Sequence, residues 1–228
     1  MLLATSVLAL LAAPEIARLG PIPAATARVF LVRHGQAFSN LDPEPDLPAD
    51  KLDSLTDLGH AQSRAVAAAL LGQGVFAILS SPAGRARGTA EDIGALLQTG
   101  PVRIERRLRP LGLGRATDGK PLDWDQRIAE WSAGRDPTPL GGESLDRAGT
   151  RILELLMMQR RQGQALVFVS HSEVVGSFLG LLNGIPAPKR YPPNVRNGSI
   201  TVIDVSEGKP ARLLLSDFVP TEVVPPKP

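Results

Sequence analysis

Arg28-Val29-Phe30-Leu31-Val32 is a short β-rich run that ends on Arg33-His34-Gly35, and the rest of the chain is best understood outward from it. Consecutive apolar residues of this kind make a strand buried on both faces of a sheet. The charged pair and the glycine behind them turn the chain out of the sheet. Two further segments repeat the pattern: Val75 to Leu79 is closed by Ser80-Ser81-Pro82, and Ala165 to Ser170 ends at His171. Helical stretches separate them. Thr56 can cap a helix through Leu71, with Leu58, Ala61, Ala65, Val66, Ala69 and Leu70 on its apolar face and Gly72 and Gly74 ending it. Another helix runs from behind Pro82 to about Leu97, a long one spans Glu143 to Arg161, and Ser172 can cap one to Leu182. Pro101 to Ile104 opens a third strand in chain order. Asn197-Gly198 turns into Ile200 to Val205, and Arg212 to Ser216 reads as an edge strand. Strands alternating with helices predict an α/β three-layer sandwich, a mostly parallel central sheet flanked by helices. Ligands in such folds bind beyond the carboxyl ends of the strands. Three polar strand ends therefore point at one crevice.

Composition narrows the class. The chain has 228 residues, enough for one domain with at most a small insertion, and 43% of them are hydrophobic. Aromatics are only 4%, so the core should be aliphatic and alanine-rich. A net charge of +2 suits an anionic small substrate and makes no case for nucleic acid. The absence of cysteine excludes a disulfide framework, a thiolate metal site and a thiol nucleophile.

Of the three histidines, two directly follow buried strands, and Arg33 stands beside one of them. Imidazole is a competent nucleophile at neutral pH because much of it is unprotonated. Attack on phosphorus needs cations around the equatorial oxygens, and the planar fork of arginine binds two oxygens at once. His60, in contrast, lies within a helix and reads as a surface residue.

At this point the chain resembles the histidine phosphatase superfamily, the phosphoglycerate mutase-like proteins. The resemblance rests on six ordered matches: Arg33-His34-Gly35-Gln36 with Asn40; Thr56-Asp57-Leu58-Gly59 with Gln62; Ser81-Pro82 with Arg85-Ala86 and Thr89-Ala90; Gly141-Gly142-Glu143-Ser144; Val169-Ser170-His171; and Asn197-Gly198-Ser199. It extends from about Arg28 to Asp217. It implies that His34 is phosphorylated, that Arg33 and Arg85 clamp the phosphate with Gly35 in the binding loop, and that His171 stabilises the transferring group. Asn40 would sit at the pocket mouth. The implied reaction is hydrolysis of a small phosphorylated substrate without metal or cofactor. The alternatives are a phosphoglycerate mutase-type phosphotransferase and a catalytically weak member that binds a phospho-ligand or a protein.

One position departs from that pattern. The superfamily places a glutamate after the third strand to protonate the leaving oxygen, and this chain has Pro110 there, within Leu108-Arg109-Pro110-Leu111-Gly112. Proline has no proton to give. Asp118, in the turn Thr117-Asp118-Gly119, and Glu173, just beyond His171, are the two substitutes. Each also has a structural reading, Asp118 as a turn residue and Glu173 as a charge favoured in a helix's first turn.

The domain boundaries follow. Residues 28–219 form the phosphatase-like domain, with 122–140 as an inserted helix that can act as a lid; Trp124 and Trp131, seven apart, make a packing stripe on it. Arg103, Arg106, Arg107 and Arg109 form a basic run that reads as a solvated face. Residues 220–228 are a Pro-rich tail. Residues 1–27 read either as a signal peptide or as an N-terminal extension packed on the domain. Leu2 to Ala13 is apolar but too short to span a bilayer, and Ala25-Thr26-Ala27 has the small-x-small pattern of a cleavage site. No Lys or Arg precedes the run. Of the two locations, export is preferred over the cytoplasm. Nothing in the sequence speaks to oligomeric state.

Overall fold

The structure, a computed structural model, describes residues 13–191, 193 and 195–221. Its strands are β1 (Thr26–Arg33), β2 (Val75–Ser80), β3 (Arg103–Ile104), β4 (Ala165–Ser170), β5 (Ile200–Ser206) and β6 (Arg212–Phe218). They form one sheet in the order β3-β2-β4-β1-β5-β6. β1, β4, β2 and β3 pair in parallel, while β5 runs antiparallel to both β1 and β6. Every strand but β5 thus points the same way, and the sheet is mixed but mostly parallel. The third strand is shorter than its sequence suggests, because Pro101 and Val102 stay outside the ladder.

The helices are α1 (Pro14–Ala17), α2 (Ala49–Leu52), α3 (Asp57–Ala69), α4 (Gly84–Leu97), α5 (Trp124–Ser132), α6 (Leu145–Gln159) and α7 (Ser172–Leu182). Alternation along β1 divides the core in two. Phe30 and Val32 face one layer, packing with Val66 and Leu70 of α3 and its end and with Ala86, Ala90 and Ile93 of α4. Val29 and Leu31 face the other, against Ile152, Leu155 and Leu156 of α6 and Val174, Val175 and Phe178 of α7. This is the three-layer sandwich, and its interior is aliphatic with a few phenylalanines.

Capping explains most helix starts. Thr56 accepts the Gly59 N–H, Ser144 accepts the Arg147 N–H, and Asp123 forms a reciprocal box with Gln126. Two boundaries differ from the sequence reading. Ser172 is the first residue of α7 and does not cap it; His171 takes the cap position without a side-chain cap bond, because its ring is turned into the site. Glu143 stands before α6, because Ser144 starts that helix and the buried Glu143 carboxylate is drawn to Arg151.

Of the N-terminal segment, residues 1–12 lie outside the described residues. Ile16 of α1 is fully buried in the core, with Ala13, Leu19 and Ile22 packed against it. Thr26 and Ala27, the end of the small-x-small pattern, are the first residues of β1. A cut after Ala27 would therefore sever a strand. Most of the Pro-rich tail, 222–228, is also outside the described residues. Among the described residues no helix is long and apolar enough to cross a membrane.

Candidate active site

The register of the sheet brings the histidines together. Arg33 at the end of β1 pairs with Ser170 at the end of β4, so the next residue on each strand, His34 and His171, leaves the sheet side by side. Ser80 pairs with Val169, which sets Ser81 on the other side of His171. The two imidazole rings meet edge to face with centroids 5.1 Å apart.

His34 is buried and its ring is fixed at both nitrogens. Nδ1 lies 2.7 Å from the Gly35 carbonyl, which can only accept, so Nδ1 carries the proton. Nε2 receives the Arg85 Nε–H at 3.1 Å and holds the lone pair. Burial, then the cations Arg85 and Arg33, push the imidazole down to about 3, against the weaker pull of the Gly35 carbonyl. The ring is neutral at physiological pH. His171 has the opposite tautomer: Nδ1 faces Arg85 Nη2 at 3.2 Å and Nε2 donates to Ser81 Oγ at 2.8 Å. Its pKa is also held well below the usual value, by burial first and then by His34 and Arg85.

Arg85, one residue into α4, thus bridges both rings. Its third contact is the carboxylate of Asp53, 2.5 Å from Nη1, a residue the sequence reading missed. Arg33 binds the Val195 carbonyl through Nη1, and its Nε is buried without a hydrogen-bond partner. An unpaired guanidinium N–H beside a neutral imidazole is a place where an anion would be held.

The other matched residues act on the His34 loop. Thr89 Oγ1 accepts the Gly35 N–H, Gln62 accepts the Gln36 N–H, and Asn197 donates to the His34 carbonyl. The Gly35 N–H is held by Thr89 and its carbonyl by the His34 ring, so here both of its polar groups serve the His34 loop. Both Gly35 and Gly59 are required by close backbone approach, since a Cβ on either would overlap the other segment's backbone. Asn40 does line the cavity, its Oδ1 taking the Ala37 N–H and the Asn197 amide.

The cavity over these groups has a volume of about 610 Å³. Its walls carry Pro110, Leu111, Glu173, Trp124 and Tyr191 as well as the phosphate-facing set. Pro110 is where the superfamily's acid would stand. Glu173 reaches the same wall from the first turn of α7, its Oε1 accepting the Leu111 N–H at 3.1 Å. Asp118 is not among the residues that line the cavity. It sits in an exposed turn, and hydrogen bonds from the Lys120 backbone and side chain lower its pKa, the wrong direction for a proton donor. The wall is braced from behind. Arg151, paired with the buried Glu143, donates to the carbonyls of Arg107, Arg109 and Pro110 and so holds the loop that bears Pro110.

The remaining candidates separate clearly. His60 is half exposed and pairs with Asp92 on the helix surface. Arg107 and Arg109 pair with Glu105 and Glu143, and neither lines the cavity. Trp131 is a buried packing residue as its spacing suggests, but Trp124 is 40% exposed and faces the cavity.

Two neutral histidines and two arginines thus meet beyond the carboxyl ends of the parallel strands, in one cavity with Glu173. The chain belongs to the histidine phosphatase superfamily (branch 1), whose family model matches residues 29–217. It is 30% identical to a probable phosphoglycerate mutase GpmB of Yersinia pestis (strain Pestoides F), over 79% of this chain and 86% of the relative. Among solved structures it is similar to mycobacterial hydrolase 1, with 26% identity and a TM-score of 0.63 over 85% of this chain and 99% of the other. It is also similar to the mycobacterial glucosyl-3-phosphoglycerate phosphatase complexed with VO3, with 26% identity and a TM-score of 0.60 over 82% and 96%.

Proposed function

We propose that the protein is a phosphatase that hydrolyses a small phosphorylated substrate through a phosphohistidine on His34. The observation that carries this reading is the Arg85 guanidinium bridging the neutral His34 Nε2 and His171 Nδ1. Arriving phosphoryl oxygens take over the N–H groups of Arg85 and the unpaired Nε–H of Arg33. This frees the His34 lone pair for in-line attack. The Nε2–P bond forms as the bond from phosphorus to the substrate alcohol breaks. His171 is the third group around the transferring oxygens. Glu173 is the acid that gives a proton to the departing alkoxide and the base that then takes one from the water that attacks the phosphohistidine. Inorganic phosphate leaves and His34 is regenerated. No residue of the chain is consumed.

The phosphatase relatives support hydrolysis, and the mutase relative keeps phosphotransfer between substrates in view. The cation count favours hydrolysis. A phosphoglycerate needs a second cationic contact for its carboxylate, yet Arg33 and Arg85 are the only Lys or Arg residues lining the cavity among the described residues. Labelled substrate and rapid quenching test the mechanism. An acid-labile adduct, absent from His34→Ala and discharged to inorganic phosphate in water, is the expected result. A stable adduct elsewhere, or full turnover by His34→Ala, would refute it.

A further inference from the structure

The cavity, about 610 Å³, is much larger than a phosphoryl group, and its lining is of two kinds. His34, His171, Arg33 and Arg85 make one set, with Arg85 contacting both rings. Trp124 and Tyr191 line the same cavity, as do Leu111 and Leu113. The aromatic pair is stacked, with centroids 6.2 Å apart and planes 22° apart. It is also held from behind. Trp131 lies 4.8 Å from Tyr191, is fixed through its Nε1–H to Asp136, and carries the Arg127 guanidinium on its face at 5.0 Å. The Asp123–Gln126 capping box pins the start of α5, and Trp124 is the first residue of that helix. Aromatics are scarce in this chain, and three of its nine are spent on this wall. A large indole left 40% exposed at the end of so rigid a stack is a preorganised stacking surface facing the cavity.

The charge of the lining is equally selective. Glu44 lines the cavity, and no cation beyond the phosphoryl-facing pair does among the described residues. Once a phosphate occupies Arg33 and Arg85, a second anionic group on the substrate would face Glu44 with no cation left to pair it. That arrangement selects against it.

We propose that the alcohol half of the substrate carries an aromatic ring, which stacks on Trp124, and bears no anionic group besides the phosphoryl. This specificity rests on the phosphatase reading for turnover, but not for binding, and the test keeps the two apart. Leaving-group effects are removed by comparing primary alkyl phosphates that differ in the ring: adenosine 5′-monophosphate against ribose 5-phosphate, and 2-phenylethyl phosphate against butyl phosphate. The ring-bearing member of each pair should have kcat/KM higher by roughly tenfold, carried mainly by KM. In Trp124→Ala that ratio should fall towards one, and Trp124→Phe should restore part of it. 3-Phosphoglycerate should be turned over poorly, and Glu44→Gln should improve it selectively. Equal values within both pairs, or a ring preference untouched in Trp124→Ala, would overturn the proposal. If p-nitrophenyl phosphate itself is not turned over, the phosphatase reading fails. Calorimetric affinities of the same four compounds for the unmodified protein still decide the ring preference by the same ratios.

Discussion

Asp53 grips Arg85 at 2.5 Å between Oδ1 and Nη1, while its Oδ2 takes the Gly84 N–H at 2.6 Å. One carboxylate therefore orients the guanidinium that touches both imidazoles and also satisfies a free donor at the start of α4, whose own cap residue, Ala83, offers none.

Asp53→Asn keeps the shape and removes the charge. Charge-assisted hydrogen bonds contribute about 1.5–3 kcal/mol, and partial exposure reduces the effect, so kcat/KM should fall by about tenfold. A structural role alone would lower activity in any background. If Asp53 acts through Arg85, the same substitution should cost little in an Arg85→Ala background, and a double-mutant cycle reads this coupling. Equal losses in both backgrounds would dissociate the pair.

His34 gives a prediction for pH. Its folded pKa of about 3 lies below the unfolded value near 6.5. Between these limits the unfolded chain binds a proton that the folded one refuses. Its stabilising contribution is therefore complete above about pH 6.5 and is lost as the pH falls towards 3. By pH 4.5 the loss from His34 alone is about 3 kcal/mol. Urea unfolding of His34→Gln should show a correspondingly flatter acid limb than the unmodified protein. Nitrogen NMR at pH 6 should find Nδ1–H on His34 and Nε2–H on His171; a doubly protonated ring at either would contradict the geometry.

What was legible in the sequence follows from how local each signal is. β1 and β4 could be read because buried parallel strands are continuous apolar runs, and His34, His171, Arg33 and Arg85 because each follows such a run or the turn behind one. Asp53 escaped notice because its partner is 32 residues away and its segment is merely polar. Trp124 and Tyr191 meet across 67 residues, and the spacing of Trp124 from Trp131 matched a packing stripe. Which member of that stripe would face the cavity was decided by where α5 docks. The hold of Thr89 on the Gly35 N–H was not legible for the same reason, since Thr89 comes from α4, 54 residues on.

The Glu143–Arg151 pair should matter to stability more than to chemistry. Removing one partner of a buried ion pair costs about 3–5 kcal/mol. Arg151 would keep three backbone carbonyls in Glu143→Ala, which places that variant near the lower end of the range. Glu143→Leu with Arg151→Met should recover most of the loss in chemical unfolding. Activity should recover less, because the loop bearing Pro110 loses its brace.

The N-terminal segment offers a separate test. A chain beginning at Arg28 would lack Ile16 from the core, the Gly20 carbonyl that Arg28 Nη1 binds at 2.8 Å, and the first two residues of β1. Ile16→Ala alone should destabilise by about 2 kcal/mol, and the shortened chain by more. An unchanged unfolding midpoint in the shortened chain would show that residues 1–27 are dispensable to the fold and would favour the leader reading.

The acid opposite Pro110 can be identified through the leaving group. Negative charge builds on the departing oxygen as its bond to phosphorus breaks, and a positioned acid cancels that charge. With an acid present, the rate of phosphorylation depends weakly on the pKa of the leaving alcohol; without one it falls steeply as that pKa rises. Glu173 is the group placed to serve, on the same wall as Pro110 and fixed by the Leu111 N–H. Glu173→Gln retains an acceptor for that N–H but has no carboxylic proton. It should lose alkyl phosphates by about 10²- to 10⁴-fold, the usual worth of a general acid, and keep most of its rate on p-nitrophenyl phosphate. The unmodified protein should show a shallow leaving-group slope and the variant a steep one. Equal losses on both substrate types would assign Glu173 to positioning Leu111 instead. A slope already steep before substitution would mean that the enzyme works without a general acid and is confined to activated phosphates.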